Sequence, residues 1–301
     1  MSRFTKYAWA TLAYNLVVVL WGAFVRASGS GAGCGEHWPK CNGEIIPRSD
    51  DVETMIEFAH RATSGVALLM TVVLVVAAHR LFGQGDRVRR AAWTTMAFML
   101  AEAALGAGLV LFGLVDDNDS VARAVVMCMH LINTLALLGF MGLTAWWSTH
   151  PGKLNYDQPM TRWLGLALLG VFFIGVTGAI AALGDTLFPA DSLVEGIKAD
   201  LEPGAHFLLR LRGFHPVIAL LVAFGLFSLA NPLRKDPKLG RLATLLVGFV
   251  IVQVLVGFIN LGLLAPVYLQ LIHLLLADGL WLTLVIFAAT ALNVEPALGQ
   301  K

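Results

Sequence analysis

Eight runs of predominantly apolar residues decide what this chain can fold into. They lie at about 7–27, 56–79, 92–114, 122–147, 162–183, 207–230, 241–263 and 266–291. A hydrocarbon core about 30 Å thick is crossed by about 20 residues of helix, and backbone polar groups survive there only when they are bonded within the segment. Of the 301 residues, 57% are hydrophobic and 14% charged, too apolar for a soluble domain. The sequence therefore predicts an all-α integral membrane protein of eight transmembrane helices embedded in a lipid bilayer. Few residues remain for a domain outside the membrane, and a net charge of +1 offers no basis for binding nucleic acid. Any chemistry must sit among the helices or under their loops.

Lysine and arginine set the expected orientation. Arg3 and Lys6, then Arg80, Arg87, Arg89 and Arg90, then Lys153 and Arg162, and finally Arg234, Lys235, Lys238 and Arg241 fall on one side of the spans. Glu36, Glu44, Asp50, Asp51, Glu53, Asp116, Asp117, Asp119, Asp185, Asp191, Glu195, Asp200 and Glu202 fall on the other. The basic side, with both termini, is expected to be cytoplasmic. The first span lacks a small-residue cleavage site and is expected to be retained, not removed as a signal peptide. No transit-peptide-like extension precedes it, which favours a bacterial cell (inner) membrane over an organelle.

The chain also resembles itself at a spacing of about 150 residues. Phe58-Ala59-His60 matches Gly213-Phe214-His215, Met129-His130-Leu131 matches Ile272-His273-Leu274, and Gly22-Ala23-Phe24 matches Gly178-Ala179-Ile180. Glu102 and Gly106 match Gln253 and Gly257. Four spans per half is an even number, so both halves enter the membrane the same way. The expected architecture is two tandem four-helix bundles, 1–150 and 151–301, related by a parallel pseudo-twofold axis along the membrane normal. Such a bundle can hold a cofactor between side chains of facing helices.

His60, His130, His215 and His273 all fall within the first two turns of an even-numbered span. At 1.5 Å of rise per residue they lie roughly 5–12 Å below the acidic-side surface. An ionisable side chain at that depth is costly and usually functional. One reading is a set of histidines that hydrogen-bond neighbouring helices. The other is metal ligation by neutral imidazole, with His at both axial positions suiting an electron-transfer haem. His60 with His130, and His215 with His273, would then clamp one haem each. Zinc or copper bound by bare histidines would need all four to converge, whereas the repeat separates them. His37, His79, His150 and His206 lie in loops or at helix ends and read as solvated.

The stretch from Val25 to Arg61 is the most specific in the chain. It contains Arg26, Ser28-Gly29-Ser30-Gly31, Cys34, Trp38-Pro39, Cys41, Gly43, Ile46-Pro47 and Ile56-Glu57-Phe58-Ala59-His60-Arg61. This pattern closely resembles the haem A synthase family, and the four histidines and eight-span repeat extend the resemblance over essentially the whole chain. It departs in the residues between the cysteines, Gly35-Glu36-His37-Trp38-Pro39-Lys40, and in having no cysteine in the outer loop 184–206, where some members carry a second pair. A mechanism needing four cysteines is therefore not expected.

The resemblance implies oxidation of the ring methyl of haem O, the substrate, to a formyl group, giving haem A for cytochrome oxidase. A resident haem b would relay electrons. Glu57, three residues before His60 on the same helix face, is the expected catalytic residue, by accepting a proton or stabilising positive charge at the haem edge. The alternative is an ordinary acid favoured by a helix N-terminus. The second half has Arg212 at the matched position, so the first half is assigned the substrate haem on His60 and His130. The second is assigned haem b on His215 and His273.

Cys34 and Cys41 close a short loop on the expected oxidising side, which favours a disulfide, either a structural clamp over the first site or a redox-active pair. Cys128 reads as a small buried hydrophobe. Arg26, Arg61, Arg123, Arg210 and Arg212 lie at the outer ends of spans, as candidate haem-propionate contacts or as side chains reaching for headgroups. Expected partners are an unidentified electron donor, haem O synthase and cytochrome oxidase assembly factors. The competing functions are a b-type cytochrome electron carrier, which would need haems stacked across the bilayer, and a haem-handling membrane protein without oxidation.

Overall fold

The computed structural model describes residues 1–294; 295–301, the end of the expected second half, lie outside the described residues. The long helices are α1 (Arg3–Ala27), α2 (Val52–Leu81), α3 (Arg87–Leu111), α4 (Val121–Trp147) and α5 (Met160–Leu187). After a short α6 (Leu193–Leu201), the sixth span Phe207–Lys235 is built from α7 (Phe207–Arg212), α8 (Phe214–Ala230) and a 3-10 turn. α9 (Gly240–Gly262) and α10 (Val267–Leu292) complete eight spans long and apolar enough to cross a membrane.

Local chemistry fixes where the first four helices begin. The side chains of Ser2, Asp51, Asp86 and Ser120 accept from the backbone N–H of Thr5, Thr54, Val88 and Arg123. Each such cap satisfies a donor that the helix cannot, typically for about 1 kcal/mol. Asp51, outside the span, also accepts from the Thr54 hydroxyl, and these bonds hold its carboxyl below the usual range.

The sixth span differs from the single helix at 207–230 expected from hydropathy. It breaks at Gly213. Pro216 has no N–H to donate to the carbonyl of Arg212, and its ring would collide with that carbonyl in a continuous helix. The chain therefore restarts at Phe214, leaving His215 in the first turn of α8.

The centre of the molecule is where α1, α4, α5 and α10 meet. The indole N–H of Trp281 on α10 donates to the Leu135 carbonyl of α4 at 2.6 Å. Gly139 and Gly142 make the approach possible, since a Cβ there would stand 3.4 Å from the Trp281 ring and 3.1 Å from Leu282. Small residues at the crossing of two membrane helices serve this purpose. α2 and α3 pack beside α1 and α4, and α8 and α9 beside α5 and α10, so consecutive spans are neighbours within each group of four.

Outward faces carry exposed Leu69, Val73, Phe173, Leu221 and Phe224. Water does not tolerate such continuous apolar surface on a monomer, whereas lipid does. The chain is a multi-pass membrane protein. On the basic side, Lys153–Leu154 pairs antiparallel with Asn293–Val294, tying the link between α4 and α5 to the chain after α10.

Candidate functional site

His60, His130, His215 and His273 project from α2, α4, α8 and α10, each ring against a glycine of the preceding long helix. A Cβ at Gly22 would lie 2.8 Å from His60 Cε1, and one at Gly178 or Gly257 would lie 3.1 Å from Cε1 of His215 or His273. At Gly106 the distance to His130 Nε2 is 3.9 Å, ordinary contact. The first three glycines thus make room for a ring. Among the described residues no three His, Cys, Asp or Glu side chains converge as a metal-ion site. The four histidines therefore do not form one bare cluster among the described residues.

Their ring nitrogens are only partly matched. Nδ1 of His60, His130 and His273 is buried without a hydrogen-bond partner among the described residues. Nδ1 of His215 sits 3.1 Å from the Thr177 hydroxyl. Behind His130 lies Glu102 of α3, whose Oε1 is 3.2 Å from Nδ1. Glu102 accepts from Asn133 Nδ2 and from the Thr134 hydroxyl, both at 2.5 Å. Behind His273 lies Gln253 of α9, whose amide is 3.3 Å from the ring and donates to the His273 carbonyl at 3.2 Å. Further along α10, Asp278 is buried with neither oxygen bonded among the described residues.

Glu57 is 4% exposed and faces the loop between α1 and α2. Its Oε2 accepts from the Cys34 backbone N–H at 2.7 Å, and its Oε1 accepts from Arg61 Nη2 at 2.5 Å and Nε at 3.1 Å. Arg61 in turn donates to the carbonyls of His37 and Lys40 at 2.5 and 2.6 Å. Cys34 and Cys41 are joined by a disulfide, with both residues buried. The Thr54 hydroxyl holds the Gly33 carbonyl at 2.7 Å. A Cβ on Gly33 would be 2.5 Å from the Glu53 backbone, so only glycine lets the loop sit this close to α2. The loop is therefore clamped onto the start of α2 by the bridge, Thr54 and the Glu57–Arg61 pair.

Of the five arginines at the acidic-side ends of the spans, four are engaged with the protein itself. Arg26 donates to the Ala182 carbonyl at 2.8 Å, Thr186 at 2.6 Å and Gln270 at 2.8 Å, linking α1 to α5 and α10. Arg61 is described above. Arg123 holds the carbonyls of Asp116 and Asn118. Arg212 bonds Asp200 at 2.7 Å, Asp185 at 3.2 Å and the Phe188 carbonyl at 3.1 Å. Arg210 is exposed. Cys128 is half-buried, with its thiol 3.7 Å from the Val176 carbonyl.

Two contacts escape a reading of the sequence one residue at a time. Glu102 and Gly106, like Gln253 and Gly257, are four residues apart and share a helix face. A glycine facing a histidine thus places the residue one turn away beside it, a signal available in the sequence. The role of Arg26 in joining α1 to α5 and α10 carries no comparable signal.

Fold and site together define an all-α membrane protein with a histidine near the N-terminal end of each of four spans. The cytochrome oxidase assembly protein family matches residues 5–285. Proteins named protoheme IX farnesyltransferase from two strains of Thermus thermophilus are 48% identical to this chain over 298 residues, 97% of the chain and 49% of the relative. The chain spans about half the length of these curated relatives. A protein named heme A synthase from Bacillus mycoides is 40% identical over 114 residues, 38% of this chain and 37% of that protein. The chain belongs to the haem A synthase family of cytochrome oxidase assembly proteins.

Proposed function

We propose that this protein is a haem A synthase, oxidising the ring methyl of haem O to a formyl group. The carrying observation is that four spans each present a histidine whose ring lies against a glycine of the preceding long helix. A ligating ring needs its remaining nitrogen held by the protein or by water, a role open to Glu102 beside His130 Nδ1 and to Thr177 beside His215 Nδ1. Imidazole is the expected axial donor.

His60 and His130 would hold the substrate's iron, and His215 and His273 that of a resident haem b. Bound haem b supplies one-electron chemistry. Raising a methyl carbon to the aldehyde level adds an oxygen atom, supplied by water or dioxygen, and removes four electrons in all, so an electron acceptor is required, which is dioxygen or a redox partner of unidentified chemistry. Glu57 would accept a proton leaving the methyl carbon or stabilise positive charge beside it, and the disulfide loop it anchors would exclude water. Arg26, Arg61, Arg123 and Arg212 are already bonded to the protein, so exposed Arg210 would be the arginine available to pair with a propionate. The reading places the protein in a bacterial cell membrane with its basic side and termini cytoplasmic and the haem sites toward the outer face.

The names of the Thermus relatives bring in a second reaction, farnesyl transfer to protohaem, the chemistry that makes a substrate of the haem O type. Half of each relative lies outside the match, and farnesyl transfer is assigned to that half. This chain would then work beside a haem O synthase that hands it substrate, with oxidase assembly factors receiving the product. The test is to purify the protein and identify its haems by extraction and mass. Haem A or a hydroxylated intermediate beside haem b is expected. Haem b alone would favour the electron-carrier reading, and conversion of protohaem plus farnesyl diphosphate to haem O would overturn the assignment.

The loop gives a separate expectation. Cys34→Ser with Cys41→Ser should leave haem b content unchanged and lower haem A production, because the bridge shapes only the cover of the first site. Thiol labelling of the native protein that is the same with and without reductant would show that no bridge forms and remove the basis for that cover.

A further inference from the structure

The two histidine pairs differ most sharply in what stands behind α4 and α10. Glu102 approaches His130 with a carboxylate, and Gln253 approaches His273 with a neutral amide. Glu102 is not loosely placed. Asn133 and Thr134 each donate to one of its oxygens, fixing both while leaving Oε1 within 3.2 Å of His130 Nδ1. The acid therefore has donors on its far side and a ring nitrogen on its near side, within ion-pair distance though not aligned for a hydrogen bond. In the second pair, Gln253 Nε2 lies 3.3 Å from His273 Nε2, while Gln253 Oε1 and His273 Nδ1 are both buried without partners among the described residues, so that ring has a neutral amide beside it and no carboxylate.

We infer that Glu102 is a positioning residue that takes the Nδ1–H of His130 and presents Nε2 as an electron-rich ligand, whereas Gln253 leaves His273 with a neutral partner. The consequence is that the two sites hold haem iron at different reduction potentials. This rests on the haem reading of the histidines. A ligating imidazole whose second N–H is held by a carboxylate becomes more basic. A more basic axial ligand stabilises ferric over ferrous iron, one of the means by which a protein sets haem potential. The site with Glu102 is accordingly the lower-potential one for the same haem.

The test is spectroelectrochemical titration of the purified full chain, saturated with iron protoporphyrin IX, for the parent protein, Glu102→Gln, Glu102→Asp and Gln253→Glu. Two reductive waves are expected. Glu102→Gln should move one wave to more positive potential, Glu102→Asp should return it toward the parent value, and Gln253→Glu should move the other wave to more negative potential. A merely structural clamp between α3 and α4 would not produce opposite shifts in separate waves. If both variants leave the waves in place, or both move the same wave, the inference is overturned. If Glu102→Gln loses its haem, Gln253→Glu alone decides, and an unmoved wave overturns it. A parent protein that binds no iron protoporphyrin at all would instead bring down the haem reading itself.

Discussion

Membranes carrying Glu57→Gln are expected to contain haem b and haem O but little haem A, with the ratio of haem A to haem O falling about 10²-fold or more. That is the usual scale for removing a positioned acid–base group or a charge stabiliser. Glutamine keeps the length of the side chain and its place in the first turns of α2, and removes its charge and basicity. The structure sharpens the competing outcome. Glu57 accepts from the Cys34 N–H with one oxygen and from the Arg61 guanidinium with the other. Glutamine can still accept from Cys34, but its NH2 then faces the donors of Arg61. A loss of activity through a loosened loop is therefore a real alternative, and limited proteolysis of the loop separates the two. An intact loop with haem A abolished assigns Glu57 to the chemistry. A loop that becomes cleavable in step with lost activity makes Glu57 an anchor. A near-normal haem A to haem O ratio removes it from both roles.

The eight spans, and the all-α membrane class with them, follow from composition and run length, because lipid penalises every unpaired backbone group and leaves helices as the solution. The break in the sixth span was equally available in the sequence. Pro216 stands four residues after Arg212, and its missing N–H outweighs the hydropathy that makes 207–230 look continuous. Glu57 illustrates a different limit. Helix periodicity places it near the His60 face, but three to four residues of phase cannot say whether its carboxylate turns toward a cofactor or back under a loop. The loop's own fold decides that, through Gly33 lying against α2 and the Cys34 N–H pointing at Glu57.

The same limit applies to the outer arginines. Their position at helix ends is legible, yet the partners of Arg26 lie more than 150 residues away at Ala182, Thr186 and Gln270, and no local pattern encodes such a contact. Arg212 shows why matched positions in a repeat need not match in use. It sits where the first half has Glu57, and it is spent on Asp185, Asp200 and the Phe188 carbonyl, closing the second half with an ion-pair network instead of offering an acid.

That difference between the halves carries the other large expected effect. His215→Ala or His273→Ala should strip haem b from the purified protein, whereas His60→Ala or His130→Ala should leave most of it. Losing even an outer partner of a metal ligand weakens a site about 10- to 100-fold, and losing the ligand itself should weaken retention at least as much. The measurement is haem b per protein after purification, by absorbance of the extracted pigment. Gly178→Val provides a check that leaves all four histidines in place. A Cβ at this position would already lie 3.1 Å from His215 Cε1, so valine must push the ring aside, and haem b should fall as it does in His215→Ala. Gly22→Val displaces His60 in the same way and should spare haem b while abolishing formation of haem A. If instead the variants of His60 and Gly22 lose haem b and those of His215 and Gly178 retain it, the resident haem belongs to the first half. Glu57 and its loop would then cover the electron relay and not the reacting methyl.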